Sequence, residues 1–158
     1  MSNGAKPAKP SIASNILIGF NQVTSHLEAL SAISAQHLGV FTTAEKPTEQ
    51  TKPCHIAAVF LLRPMDDLIY THIPALCYTA SLAHADLPPI RLIVLDLSVE
   101  RRMVDALGCP RVSVIALLNG EEAIKVTEYV RKHVEVLEVP WLKQAAEARW
   151  LGTKVDVQ

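Results

Sequence analysis

The sequence predicts an α/β fold, a three-layer α-β-α sandwich with a small mixed sheet, built as a single domain. Continuous apolar runs alternate along the chain with segments whose apolar residues recur at intervals of three and four. A continuous apolar run suits a strand buried on both faces, so helices must lie above and below it. The composition, 49% hydrophobic and 20% charged but only 5% aromatic, calls for a core filled by aliphatic side chains. A chain of 158 residues suits one domain of ordinary size with short tails.

Residues 1–13, rich in Ser, Ala, Pro and Lys, read as a flexible N-terminal arm. Lys6 and Lys9 there are either solvated or in reach of phosphate. The run from Asn15 to Ile18 is a short strand that stops at Gly19. Beyond it Val23, Leu27, Leu30 and Ile33 keep helical spacing, and Asn21 can cap that helix. Thr42, Thr43, Pro47 and Pro53 interrupt any periodicity, so residues 36–54 read as a surface loop and an insertion.

The apolar run from His55 to Leu62 is the next strand, ended by Arg63 and Pro64. Asp66 or Asp67 can cap a helix carrying Leu68, Ile69, Ile73, Leu76, Cys77 and Leu82, which Pro88 and Pro89 stop. Pro74 should either kink that helix or mark its functional start. Ile90 to Leu95 is a strand. Ser98 caps a helix with Val99, Met103, Val104 and Leu107, and Gly108 is placed as its C-terminal stop. Val112 to Leu118 is the last clear strand, and Glu121 to Lys132 form a further helix. The domain then spans 14–133, with 134–158 as a C-terminal extension. Its first part, residues 134–142, alternates apolar and polar side chains, as an edge strand or an extended segment laid on another surface would. Trp141 and Trp150 near the end are either core residues or interface anchors.

Net charge is -1, so the molecule has no global field that draws it to nucleic acid, and any RNA site must be local. No apolar stretch reaches the roughly 18 residues that span a bilayer, and the first residues lack the apolar core of a secretory signal; an intracellular protein without membrane contact is expected. Cys54, Cys77 and Cys109 are too far apart for a zinc knuckle and are expected to be buried thiols. His26, His37, His55, His72, His84 and His133 are scattered, with no metalloprotease or phosphate-loop motif. A triad assembled in space from Cys77, a histidine and an aspartate stays open on residues alone. Asp66 and Asp67 read as helix-start carboxylates more readily than as a metal pair. The basic pairs Arg101 with Arg102 and Arg131 with Lys132 are solvated helix faces or RNA backbone contacts.

Gly19 lets the chain turn sharply out of a strand, and a helix N-terminus with Asn21 and Gln22 beside it offers both a phosphate site and amide donors and acceptors for base edges. Three separated motifs share the pattern. Gly19, Asn21, Val23 and Thr24, then His72, Ile73, Pro74, Leu76 and Cys77, then Leu107 and Gly108 leading to Arg111, Val112 and Ser113, resemble in order and spacing the kink-turn-binding family of ribosomal and ribonucleoprotein proteins. The resemblance covers about residues 15–120. It is nearest to the fungal branch that serves nuclear ribonuclease P and ribonuclease MRP, given the neutral, aliphatic-rich chain and the long loop after the first helix.

The resemblance implies an RNA-binding, non-catalytic subunit of a particle whose chemistry belongs to RNA, with precursor tRNA and rRNA processing as its task and the nucleus and nucleolus as its place. It implies that Gly19, Asn21, Gln22 and Ser25 face sheared G·A pairs, and that Cys109, Pro110, Arg111, Val112 and Ser113 form a second RNA-facing loop. No catalytic residue, metal ligand or cofactor is implied. Partners would be the structured RNA and other protein subunits, the latter through 134–158 and the 36–54 loop. Two departures weaken the RNA side. The family's glutamate after the asparagine is Gln22 here, and its lysines at Ser25 and just before the second strand, near His55 or Ile56, are missing. Arg111, with its planar fork of donors, is then the main cation. Two other readings follow: a protein-interaction scaffold of the same particle that has lost base reading, and a ribosomal or small nucleolar particle protein.

Overall fold

A computed structural model describes residues 10–37, 53–63 and 67–147. Expectations for Lys6, Lys9, the body of the 36–54 loop, Asp66 and Trp150 lie outside the described residues. Strands β1 (Ile16–Ile18), β2 (Ile56–Leu61), β3 (Arg91–Val94) and β4 (Val114–Leu118) form one sheet in the order β1-β4-β2-β3. The sheet is mixed: β2 and β3 are parallel, whereas β4 is antiparallel to both β1 and β2. Helices α1 (Phe20–His37), α2 (Ile73–Ser81), α3 (Ser98–Leu107), α4 (Ile124–His133) and α5 (Pro140–Ala146) complete the described elements, with short 3-10 turns at Ser11–Asn15 and Glu121–Ala123.

Register assigns the paired strand residues to faces, with a bulge at Ala57 of β2. Leu17, Val59, Leu61, Val114 and Ala116 point to one side, where Val23, Leu27 and Leu30 of α1 and Ile73, Cys77 and Ala80 of α2 meet them. Ile16, Ala58, Phe60, Ile115 and Leu117 point to the other. There Ala123 and Val130 pack from the α4 side, and Met103, Val104 and Leu107 from α3. Both faces are apolar, so the strand sequences show no alternation. Full burial of each Leu or Ile contributes about 1.5–3 kcal/mol, and Leu27, Leu30, Ile56, Leu61 and Ile73 have no exposed surface. The α1–α2 layer is also tied by the hydroxyls of Ser31 and Thr79, 2.8 Å apart.

Several elements depart from the sequence reading. The second helix starts at Ile73, and residues 67–72 are turns in which Tyr70 N–H donates to Asp67 and Ile73 N–H to Tyr70. Pro74 falls in the first turn, where its missing N–H has no intrahelical partner to lose, so it marks the start and does not kink the helix. Leu68 and Ile69, outside the helix, are 84% and 54% exposed. β4 begins at Val114 although Val112 is fully buried, because a buried apolar residue need not belong to a ladder.

Residues 135–139 form no strand. Leu137 packs on the main core and Val139 is buried, so this stretch is laid along its own domain before Pro140 opens α5. Trp141 is 63% exposed, which removes the core alternative for it. Among the thiols only Cys77 is buried, Cys109 is partly so, and Cys54 is exposed. Gly108 ends α3 in the left-handed conformation (φ 64°), with its N–H donating to Val104, as its sequence position implied.

Candidate nucleic-acid interface

The antiparallel register of β1 and β4 puts the end of β1 beside the start of β4. The turn that leaves β1 is Gly19, at φ +103°, a conformation side-chain-bearing residues rarely adopt. Its N–H donates to the Val114 carbonyl at 2.9 Å, and its own carbonyl accepts from Val23 at 3.1 Å. Gly19 therefore fills the N-cap position by backbone geometry, and Asn21 is the second residue of the helix. This corrects the expected cap at Asn21. The Asn21 amide is left exposed, as are Gln22 and Ser25.

The α3–β4 loop lies against this turn. Leu62 N–H donates to Ser113 O at 2.9 Å, and the side chain of Val112 is fully buried with Leu62 and Ile115. Pro110 and Arg111 are exposed and Ser113 is half-buried. Of the residues that the resemblance pointed to, Val112 thus faces the core and holds the loop in place by packing, while Arg111 extends to solvent. Gly19, Asn21, Gln22, Ser25, Pro110, Arg111 and Ser113 come from sequence positions far apart, and the Gly19–Val114 bond brings their two segments to one end of the sheet.

The third motif reaches the same end. Phe20 stacks edge-on to Tyr70 (5.7 Å between ring centroids) and to His72 (5.8 Å), so the turn before α2 is locked against the first residue of α1. His72 is an exposed ring resting edge-on against Phe20. Thr24 braces the first turn, its hydroxyl donating to the carbonyls of Phe20 (2.9 Å) and Asn21 (3.2 Å).

Sequence reasoning missed two residues here. Phe20 gave no signal because an aromatic between Gly and Asn has no motif of its own. Arg63 was read only as a strand end, yet it follows Leu62 at this end of the sheet and pairs with Glu100 at 3.1 Å. Glu100 neutralises much of its charge, so Arg111 is the freer cation. Among the described residues no group of three or more His, Cys, Asp or Glu is arranged to hold a metal ion, and no helix is long and apolar enough to cross a membrane.

The family model described as RNase P subunit Pop3 matches residues 3–144. The chain belongs to the Pop3 family. The match spans all of the described elements except the last residues of α5. Pop3 membership makes this chain a protein subunit of an RNase P ribonucleoprotein, which contains RNA and other subunits and serves tRNA processing. No curated protein and no solved structure matches it.

Proposed function

We propose that this Pop3-family chain is a non-catalytic RNA-binding subunit of nuclear RNase P and RNase MRP that recognises a kink-turn-like element and stabilises the particle for precursor tRNA and rRNA processing. The observation that carries this reading is the hydrogen bond from Gly19 to Val114, which sets the Asn21 turn beside the Arg111 loop. Asn21 and Gln22 offer amide donors and acceptors to base edges, and Arg111 meets a phosphate or stacks on a base. Gly19, Ser25, Pro110 and Ser113 shape the surface, and Val112 supports the loop from within. The chain acts as an accessory to chemistry performed by the RNA, in the nucleus and nucleolus.

The test is a gel-shift titration of the full chain against a kink-turn duplex, a duplex without the G·A pairs, and Asn21→Ala protein. Tight binding lost in both altered pairs supports the reading; equal, weak binding in all three overturns it. One observation favours a second reading, a protein scaffold of the same particle. Trp141 presents a large aromatic to solvent next to the segment 134–139, and large aromatics anchor protein interfaces. In that case Trp141→Ala lowers co-purification with other subunits while Asn21→Ala leaves it unchanged.

A further inference from the structure

The other end of the sheet holds a cluster that the RNA reading does not use. β2 and β3 begin there and β4 ends there, so Arg91, the first residue of β3, lies at the same end as Asn119 and Gly120, which follow β4, with β2 between them. Arg91 pairs with Ala58 in register, which turns its side chain to the α4 face of the sheet. It is only 9% exposed, and its Nε and Nη1 are buried with no hydrogen-bond partner. Arg131 of α4 also has a buried, unpartnered Nε. Burial first, and the positive charge of Arg131 second, hold the Arg91 guanidinium below its ordinary range, and it remains a cation at neutral pH.

Two guanidiniums that repel each other call for an anion, and among the described residues neither is paired with one. The one ion pair among the described residues is Arg63 with Glu100, at the far end. Thr127, one turn before Arg131, is 6% exposed, and its hydroxyl has no partner, not even the carbonyl one turn back that a mid-helix threonine commonly uses. Thr127 and Arg131 line an open cleft of about 420 Å³, closed on its other sides by Leu87, Pro88, Asn119, Gly120 and Ile124. Glu128 also lines it, without pairing with either arginine among the described residues.

We propose that this cleft binds a phosphate group, held by Arg131 and the Thr127 hydroxyl with Arg91 behind them. A hydroxyl and a guanidinium one turn apart suit a tetrahedral group with several acceptor oxygens. A planar carboxylate is satisfied by one guanidinium fork. His55 nearby does not add charge: it donates Nε2–H to the Pro88 carbonyl at 3.0 Å, and burial holds its pKa below the ordinary value.

The experiment is thermal melting of the full chain at fixed ionic strength with millimolar inorganic phosphate, alongside Arg91→Met and Arg131→Gln. The wild-type Tm should rise with the logarithm of phosphate concentration above Kd, by about 3–5 °C at tenfold excess over Kd, and both variants should lose the rise. Arg91→Met should melt no lower than wild type without phosphate, since it removes an uncompensated buried charge; if it does not fold, half-exposed Arg131→Gln decides. Absence of a rise, an equal rise in Arg131→Gln, or an equal rise with acetate overturns the proposal. Gel shifts separate the sources. If Arg131→Gln lowers the salt slope of RNA binding by about 1, the phosphate is that of the RNA backbone. An unchanged slope with the phosphate response intact in wild type assigns the site to free phosphate or a nucleotide.

Discussion

Gly19 and Val114 are joined by a 2.9 Å hydrogen bond from the Gly19 N–H to the Val114 carbonyl, across a turn at φ +103°. A Cβ at Gly19 would meet nothing within 4 Å, so the constraint at this position is conformational and not steric crowding. Gly19→Ala should therefore cost about 1–3 kcal/mol in urea unfolding, the range for a strained left-handed residue. RNA affinity should fall with it, because the bond positions both loops. Unchanged stability would mean the turn relaxes freely.

Arg111 and Asn21 should behave differently on the same surface. Both are exposed, so alanine at either should change stability by less than about 0.5 kcal/mol. Arg111→Ala should weaken binding to all RNA sequences alike and reduce the salt slope by about 1, whereas Asn21→Ala should weaken kink-turn binding and leave the slope unaltered. Filter binding at several salt concentrations measures both.

Ser25 is exposed on the first helix, one turn beyond Asn21, and carries no charge. Ser25→Lys should strengthen RNA binding and steepen its salt dependence by about one phosphate contact, without a change in melting temperature. Equal affinity in the variant and the wild type would show that no phosphate passes that side of α1.

The Cys77 thiol, fully buried between α1, α2 and the sheet, is pushed up to about 12 by burial. The folded state then keeps its proton where an exposed thiol, with an ordinary value near 9, loses it. Stability is unaffected below about pH 8.5, and declines as pH rises from there toward 12, with a limiting slope of about 1.4 kcal/mol per unit. Cys77→Ala should remove that alkaline slope at the cost of a small cavity. In the native protein a thiol reagent should modify exposed Cys54 first and Cys77 only on unfolding.

His55 has the opposite sign. Burial lowers its pKa, so the unfolded chain takes up the proton first. Its contribution to stability is complete above about pH 6.5 and is lost as pH falls through the lowered value. Unfolding free energy should drop from pH 7 to pH 5 in wild type and drop less in His55→Gln.

The legible parts of this chain were those with local causes. Gly108 could be read as a helix stop because its left-handed φ is a property of one residue, and the runs in β2 and β4 could be read as two-faced strands because burial on both sides removes alternation. The start of α2 was misjudged because Leu68 and Ile69 keep helical spacing although they are exposed in turns, and periodicity records spacing without burial. Residues 134–139 alternate like an edge strand, yet none of the described strands pairs with them. At the candidate interface the sequence pointed to both loops, but the burial of Val112 and the salt bridge at Arg63 depend on Leu62 and Glu100, which no local pattern links to them.

The sequence by itself determined the α/β class, the two apolar faces, the glycine turn and the family motifs, because each follows from residue chemistry within a turn or a strand. Only the tertiary structure decided which residues share a surface. The order β1-β4-β2-β3 carries Asn21 and Arg111 to one end and collects Arg91, Thr127 and Arg131 at the other, and strand order is set by long-range pairing that short-range spacing does not encode.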